Sequence, residues 1–254
     1  MSDTLVPIDD LTAIQIASIC DHSILETYIS FLGQAEDPRR LRDENLLDFL
    51  KTAIHSERAP YAICVLPECV PIVVEFLDEH DRDEINVASA IYFPYGSVAT
   101  ALKVSQTRAV TACGAAEIDV VMNHDAFTTG DIDTARDDAK AVADAAHENG
   151  ALAKLIIETC VLTHDQIKGA CDLAEEAGAD FVKTSTGVWS YGATSTDLVL
   201  IREYFSGGVK ISGAGVGAKN IRDLLWASSG RVDGCIDLDP ARIRIGEGGL
   251  IHSL

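Results

Sequence analysis

Basic residues are scarce in this chain. Twenty lysines and arginines stand against forty aspartates and glutamates in 254 residues, a formal net charge of −20. A surface of that sign repels nucleic acid and anionic lipid, which argues against both as partners. The acidity suits either life at high salt or plain solubility, and it does not identify a chemistry. Long apolar runs are also missing. None nears the ~18 residues that a bilayer span needs, so no membrane segment is expected. The opening, MSDTLVPIDD, is acidic and lacks the basic-then-apolar order of a secretory leader, so cytoplasmic residence is the expectation. Seven cysteines (Cys20, Cys64, Cys69, Cys113, Cys160, Cys171, Cys235) are scattered, odd in number and without CxxC spacing. Disulfide and zinc frameworks are therefore poorly supported, and most of the thiols read as small buried hydrophobes in a reducing compartment.

What the chain does contain is alternation. Short apolar runs at 19–23, 62–66, 85–91, 117–122, 151–157, 181–184, 208–211 and 241–245 read as strands. Helical patterns lie between them, near 38–55, 68–80, 97–114, 131–149, 163–177, 195–205 and 217–228. Nearly continuous apolar strands suit a parallel sheet covered on both faces. Thr163 and Gln166 have capping-box spacing, and Ser195 to Asp197 opens another helix. Gly150, Gly178 and Gly207 each follow a helical stretch, as helix C-termini prefer. No linker, domain break or shorter repeat interrupts the pattern. The expectation is a single (β/α)8 TIM barrel over residues 1–254, with a short N-terminal capping helix. An open doubly wound sheet is the rival, but it would carry a Gly-rich fingerprint after its first strand, and none is present.

Catalytic groups of such barrels come from the C-terminal ends of strands. Lys183 in ADFVKTSTG and Lys210 in GGVKISGAG end consecutive strands, and Asp119 lies on the strand EIDVV. Burial and a neighbouring ammonium both disfavour a charged lysine. A fall from ~10.4 to near 7 corresponds to about 4–5 kcal/mol. The product is a neutral amine, the form that attacks a carbonyl to give a Schiff base, with a carboxylate at hand to move protons. A lone lysine at a strand end is more often snorkelling than catalytic; two on adjacent strands, each running into a Ser/Thr/Gly loop, are not explained that way. Lys154 lies near a strand start. It reads either as an ion-pair scaffold with Asp119 or Glu158, or as a direct participant.

These segments resemble one known family. KTSTG followed by GAT (Lys183–Gly187, Gly192–Thr194) is similar to the signature of deoxyribose-phosphate aldolases. So are DHSIL from Asp21, AICVLP from Ala62, EIDVV from Glu117, KLIIET from Lys154 and the VK pair at 209–210, in the family's order along nearly the whole chain. The resemblance implies a class I aldolase, free of metal and cofactor, that splits 2-deoxyribose 5-phosphate into glyceraldehyde 3-phosphate and acetaldehyde. It implies that Lys183 forms the imine, that Lys210 perturbs it and that Asp119 relays protons with water. Asp21, Ser23, Cys64, Lys154 and Thr186 become candidate substrate contacts, with a buried structural role for Cys64 equally open. Gly187, Gly213, Gly215, Gly246 and Gly248 become candidate phosphate contacts.

The phosphate end departs from the family. Its usual GG-x-R turn is replaced by SGAGVGAK at Ser212–Lys219, and its Gly-x-Ser-Ser turn by Gly246-Glu247-Gly248-Gly249. A glutamate near a phosphate is repulsive unless it points away. The amides of Gly248 and Gly249 are then a possible anion nest, with Lys219 or Arg244 as substitutes for the arginine. Trp189 and Tyr191 put large aromatics into the loop after Lys183, as pocket wall, lid or rim packing. An aldolase for an unphosphorylated or differently charged substrate and a catalytically silent ligand-binding barrel are the rival functions. A small sugar phosphate or aldehyde is the expected partner, with a homodimer as a possible assembly.

Overall fold

The computed structural model describes residues 4–55, 58–229 and 234–253. At one margin β1 (Leu5–Pro7) forms a two-stranded antiparallel ribbon with β9 (Cys235–Asp237). The other strands are parallel and close into a barrel: β2 (Cys20–Ile24), β3 (Ala62–Val65), β4 (Asn86–Ile91), β5 (Glu117–Val121), β6 (Leu152–Ile156), β7 (Phe181–Lys183), β8 (Gly208–Ser212) and β10 (Ile243–Glu247). Closure comes from β10, which pairs with both β8 and β2. The TIM-barrel expectation holds.

Helices follow the strands: α1 (Ala13–Ala17), α2 (Pro38–His55), α3 (Val70–Glu79), α4 (Thr100–Ala112), α5 (His124–Thr128), α6 (Ile132–His147), α7 (His164–Ala177), α8 (Ser195–Tyr204), α9 (Ile221–Ser228) and α10 (Leu250–Ser253). Thr163 and Gln166 close the expected capping box on α7, which ends on Gly178 in the left-handed conformation. On α8 the capping residue is Thr194, paired reciprocally with Asp197. Gly207 is not a helix cap. A Cβ there would lie 2.6 Å from the Asp180 carbonyl oxygen, so its smallness serves a close crossing.

Two features were not legible in the pattern. The ribbon joins three-residue strands from opposite ends of the sequence. The last barrel strand also begins at Ile243 rather than Ala241. Asp237 and Asp239 accept hydrogen bonds from the amides of Asp239 and Ala241, which keeps that stretch in turns and moves Gly246 and Glu247 into the strand.

Side chains alternate across each strand. Outward residues such as Ile63, Val65, Ile118, Val120, Leu155, Val182, Val209 and Ile245 pack against the helices in one apolar core. Inward, Cys64, Ala88 and Ala90 form a small apolar wall on β3 and β4. The opposite wall is charged.

One buried pair lies outside the barrel. Lys103 on α4 donates to Asp138 on α6 and to the Val121 carbonyl, and both side chains are inaccessible. Removing one partner leaves the other charge buried and unpaired. Asp138→Ala is expected to lower the unfolding free energy by about 3–5 kcal/mol in urea denaturation, and Lys103→Met/Asp138→Leu to recover most of that loss.

Candidate active site

Glu117 and Asp119 on β5, Lys154 on β6, Lys183 on β7, Lys210 on β8, Arg244 on β10 and Asp21 on β2 all project into the barrel. Strand register brings them together: Asp119 lies opposite Lys154, Lys183 opposite Lys210, and Lys210 opposite Arg244. Asp119 Oδ2 accepts from Lys183 Nζ and from Lys210 Nζ, each at 2.7 Å. Lys210 Nζ also lies 2.6 Å from Asp21 Oδ2. Lys154 donates to Asp21 at 2.7 Å and to Glu117, and lies 3.4 Å from Asp119 Oδ1. Beneath these, Arg244 reaches Glu117 at 3.1 Å and Asp21 at 3.2 Å, and stacks on the Tyr61 ring. Four cations therefore share three carboxylates.

The electrostatics correct one expectation. Burial pulls the Lys210 ammonium down, but Asp119 and Asp21 outweigh it and hold its pKa well above the ordinary lysine value. Lys210 is a fixed cation. Lys154 is treated the same way, burial being opposed by Asp119, Asp21 and Glu117. Its structural company favours the ion-pair scaffold, with Asp119 and not Glu158 as its partner. For Asp119, burial raises the pKa, but Lys154, Lys183 and Lys210 hold it well below the carboxylate range. Asp21 is likewise depressed against its burial by Lys154, Lys210 and Arg244.

Lys183 alone of these charged groups lines a cavity, of about 290 Å³, at the C-terminal mouth. Ser23, Thr186, Gly187, Gly213, Gly215, Gly246 and Gly248 share that wall, as expected from their positions. Asp21 and Cys64 do not. Asp21 is fully buried in ion pairs, which corrects its expected substrate contact. Cys64 is fully buried too, its thiol 3.8 Å from Asp119 Oδ2, so it takes the structural role. The loops after β7 and β8 cross where a Cβ on Gly213 would lie 2.6 Å from Gly192 Cα, and Gly213 has φ +107°. Only glycine fits there.

Comparison with known proteins agrees with this arrangement. Residues 18–229 match the model of the DeoC/LacD family of aldolases. The chain belongs to that family. The deoxyribose-phosphate aldolase of Thermococcus gammatolerans is 40% identical over 205 residues, 81% of this chain and 84% of the relative. That of Thermococcus kodakarensis is 37% identical over 220 residues, 86% and 92% of the two chains. Among solved structures, the aldolase QR15 superposes with a TM-score of 0.73 at 26% identity, covering 94% and 93% of the chains. The tetrameric deoxyribose phosphate aldolase of Aeropyrum pernix shares the fold, with a TM-score of 0.74 at 21% identity and 97% and 92% coverage.

Within this DeoC/LacD barrel the distal end of the cavity differs from the sequence expectation. The Glu247 carboxylate accepts hydrogen bonds from the amides of Gly249 and Leu250. The Gly249 amide is thus committed to the chain's own carboxylate and does not form the expected anion nest. Arg244 is locked inside the barrel on Glu117 and Asp21. Lys219 is exposed and off the cavity wall. Neither replaces the absent arginine there. Trp189 and Tyr191 are exposed and also lie off that wall; Trp189 instead lines a neighbouring cavity of about 300 Å³ with Tyr95, His124 and Glu158.

Three contributors escaped sequence reasoning. Glu117 and Arg244 lie two residues before Asp119 and Gly246, so strand alternation alone carries the signal for both. Glu158, in the left-handed conformation at φ 53°, accepts from the Thr186 amide and so positions the loop after Lys183. Gly246 has a second duty: a Cβ there would lie 2.7 Å from Lys210 Cε. Gly246→Ala is expected to displace the Lys210 ammonium and to lower kcat by about 10²-fold with little change in circular dichroism.

The depressed carboxylates and the raised lysine set opposite pH limits. What Asp21 and Asp119 contribute to stability is present above their ordinary value of 3.8 and is lost as pH falls below it. The contribution of Lys210 is present below 10.5 and is lost as pH rises through its raised folded value. Unfolding free energy measured against pH is expected to fall at both ends, with the acid limb shallower in Asp21→Asn and the alkaline limb shallower in Lys210→Met.

Proposed function

We propose that this chain works as one barrel domain and cleaves 2-deoxy-D-ribose 5-phosphate to D-glyceraldehyde 3-phosphate and acetaldehyde, reversibly, through an imine on Lys183. One observation carries the choice of nucleophile. Lys183 faces the cavity with a single carboxylate partner, whereas Lys210 and Lys154 are fully buried against two and three. The network has one more cation than carboxylates, and Lys183 is the member best placed to give up a proton to water.

The free amine of Lys183 adds to C1 of the open-chain sugar. The resulting carbinolamine loses its hydroxyl as water, protonated from the Lys210 and Asp119 side, and leaves an iminium. Asp119, directly or through a water, takes the proton of the C3 hydroxyl. Its Oδ1 makes no hydrogen bond among the described residues. The C2–C3 bond then breaks, and its electron pair flows into the iminium to give an enamine while glyceraldehyde 3-phosphate departs. Protonation at C2 and addition of water to C1 release acetaldehyde and restore the amine. Lys210 stays charged beside these events and stabilises the negative charge that develops on oxygen.

A homodimer belongs to the same reading, supported by the exposed Ile29 and Leu32 on one turn. Cytoplasmic residence is supported by seven free thiols. Among the described residues no helix is long and apolar enough to cross a membrane.

Borohydride reduction in the presence of 2-deoxyribose 5-phosphate, read by peptide mass spectrometry, is expected to leave an adduct on Lys183. The adduct should be absent from Lys183→Leu; an adduct on Lys210 in its place would overturn the assignment. Lys210→Leu and Asp119→Asn are each expected to lower kcat by about 10²–10⁴-fold, measured by coupled reduction of the released aldehyde.

A further inference from the structure

The wall of the Lys183 cavity holds one cation and one carboxylate among the described residues, Lys183 and Glu247. Ser23, Leu25 and Gly248 are shared with an adjoining cleft of about 460 Å³, which adds Glu26 and Asp48 and no lysine or arginine. Away from the imine-forming amine, the mouth is therefore anionic. Glu247 ends β10, and its carboxylate is anchored on the amides of Gly249 and Leu250. A carboxylate held this way is an acceptor without a proton to donate. A hydroxyl presented to it donates a hydrogen bond, whereas a phosphate dianion meets a like charge. The same bonds commit turn amides that would otherwise be open to an anion.

We propose that Glu247 is a specificity-determining residue that weakens the hold on a substrate phosphate and admits an uncharged, hydroxylated distal end. The substrate class that follows is the free 2-deoxy sugar alongside its 5-phosphate, and neutral hydroxyaldehydes as acceptors in the reverse direction. This rests on the aldolase reading, since Lys183 must hold the carbonyl end for the other end to reach Glu247. Discrimination is then set by repulsion at one residue as much as by attraction elsewhere.

The test compares kcat/KM for 2-deoxyribose 5-phosphate and for 2-deoxyribose in the wild type, Glu247→Gln and Glu247→Ser. Glutamine keeps an oxygen for the two amides and removes the charge. Serine removes both the charge and the reach. The ratio of phosphorylated to free sugar is expected to rise by about tenfold or more in both variants, chiefly through KM for the phosphate. A ratio within twofold of wild type in both, with the Lys183 imine still trapped by borohydride, would overturn the role of Glu247 and leave the aldolase reading intact. Failure of the wild-type protein to form an imine with either sugar or with acetaldehyde would overturn both.

Discussion

Two ammonium groups on adjacent strands, Lys183 and Lys210, share one oxygen of Asp119 at 2.7 Å each, and the barrel interior is arranged around that oxygen. Burying charge is expensive, and the mutual attraction of buried ions offsets it only when each has well-placed partners. Asp119 supplies such a partner to three lysines and Asp21 to two. Below them Glu117 and Arg244 complete a second layer, closed off by the rings of Tyr61 and Phe181. The lower layer fixes Lys154 and Asp21, and these fix Lys210. The position of the nucleophile is thus determined by residues that never meet a substrate.

Much of this was readable from the chain, because strand alternation places every second residue on one face. The apolar runs marked the barrel strands, α2 spans the expected 38–55, and Thr163 with Gln166 marked the start of α7. Lys183 and Lys210 stood out because lysine does not otherwise belong at an inward strand end. What could not be read was the sign of an electrostatic balance. The charge on Lys210 depends on carboxylates from β2 and β5, and no local pattern shows that both reach it. Asp21 looked like a substrate contact for the same reason: its ion pairs come from β6, β8 and β10. The direction of Glu247 was equally hidden, since a shift of two residues in the start of β10 decides where its side chain sits.

Absent side chains shape the interior as much as the charged ones. Gly208 leaves room for the Phe181 ring, which a Cβ would approach to 2.2 Å. Gly246 lets the Lys210 chain pass on its way to Asp21 and Asp119. Gly192 and Gly213 let two mouth loops cross backbone to backbone, which holds Thr186 and Gly187 against the cavity. Loops pinned by such crossings keep the precision of the strands beneath them, and the cavity varies from its relatives in what lines its far end while keeping the lysine pair at its base.

The placement of Arg244 on the final barrel strand has a temporal consequence. A nascent chain emerging from the ribosome without β10 carries three lysines and three acids in its unfinished interior, a balanced set with no surplus proton to shed. The guanidinium that tips the balance is synthesised last and enters only when β10 zips between β8 and β2. Activation of the amine is thereby tied to completion of the chain, and an incomplete barrel is spared a reactive nucleophile among the aldehydes of its surroundings.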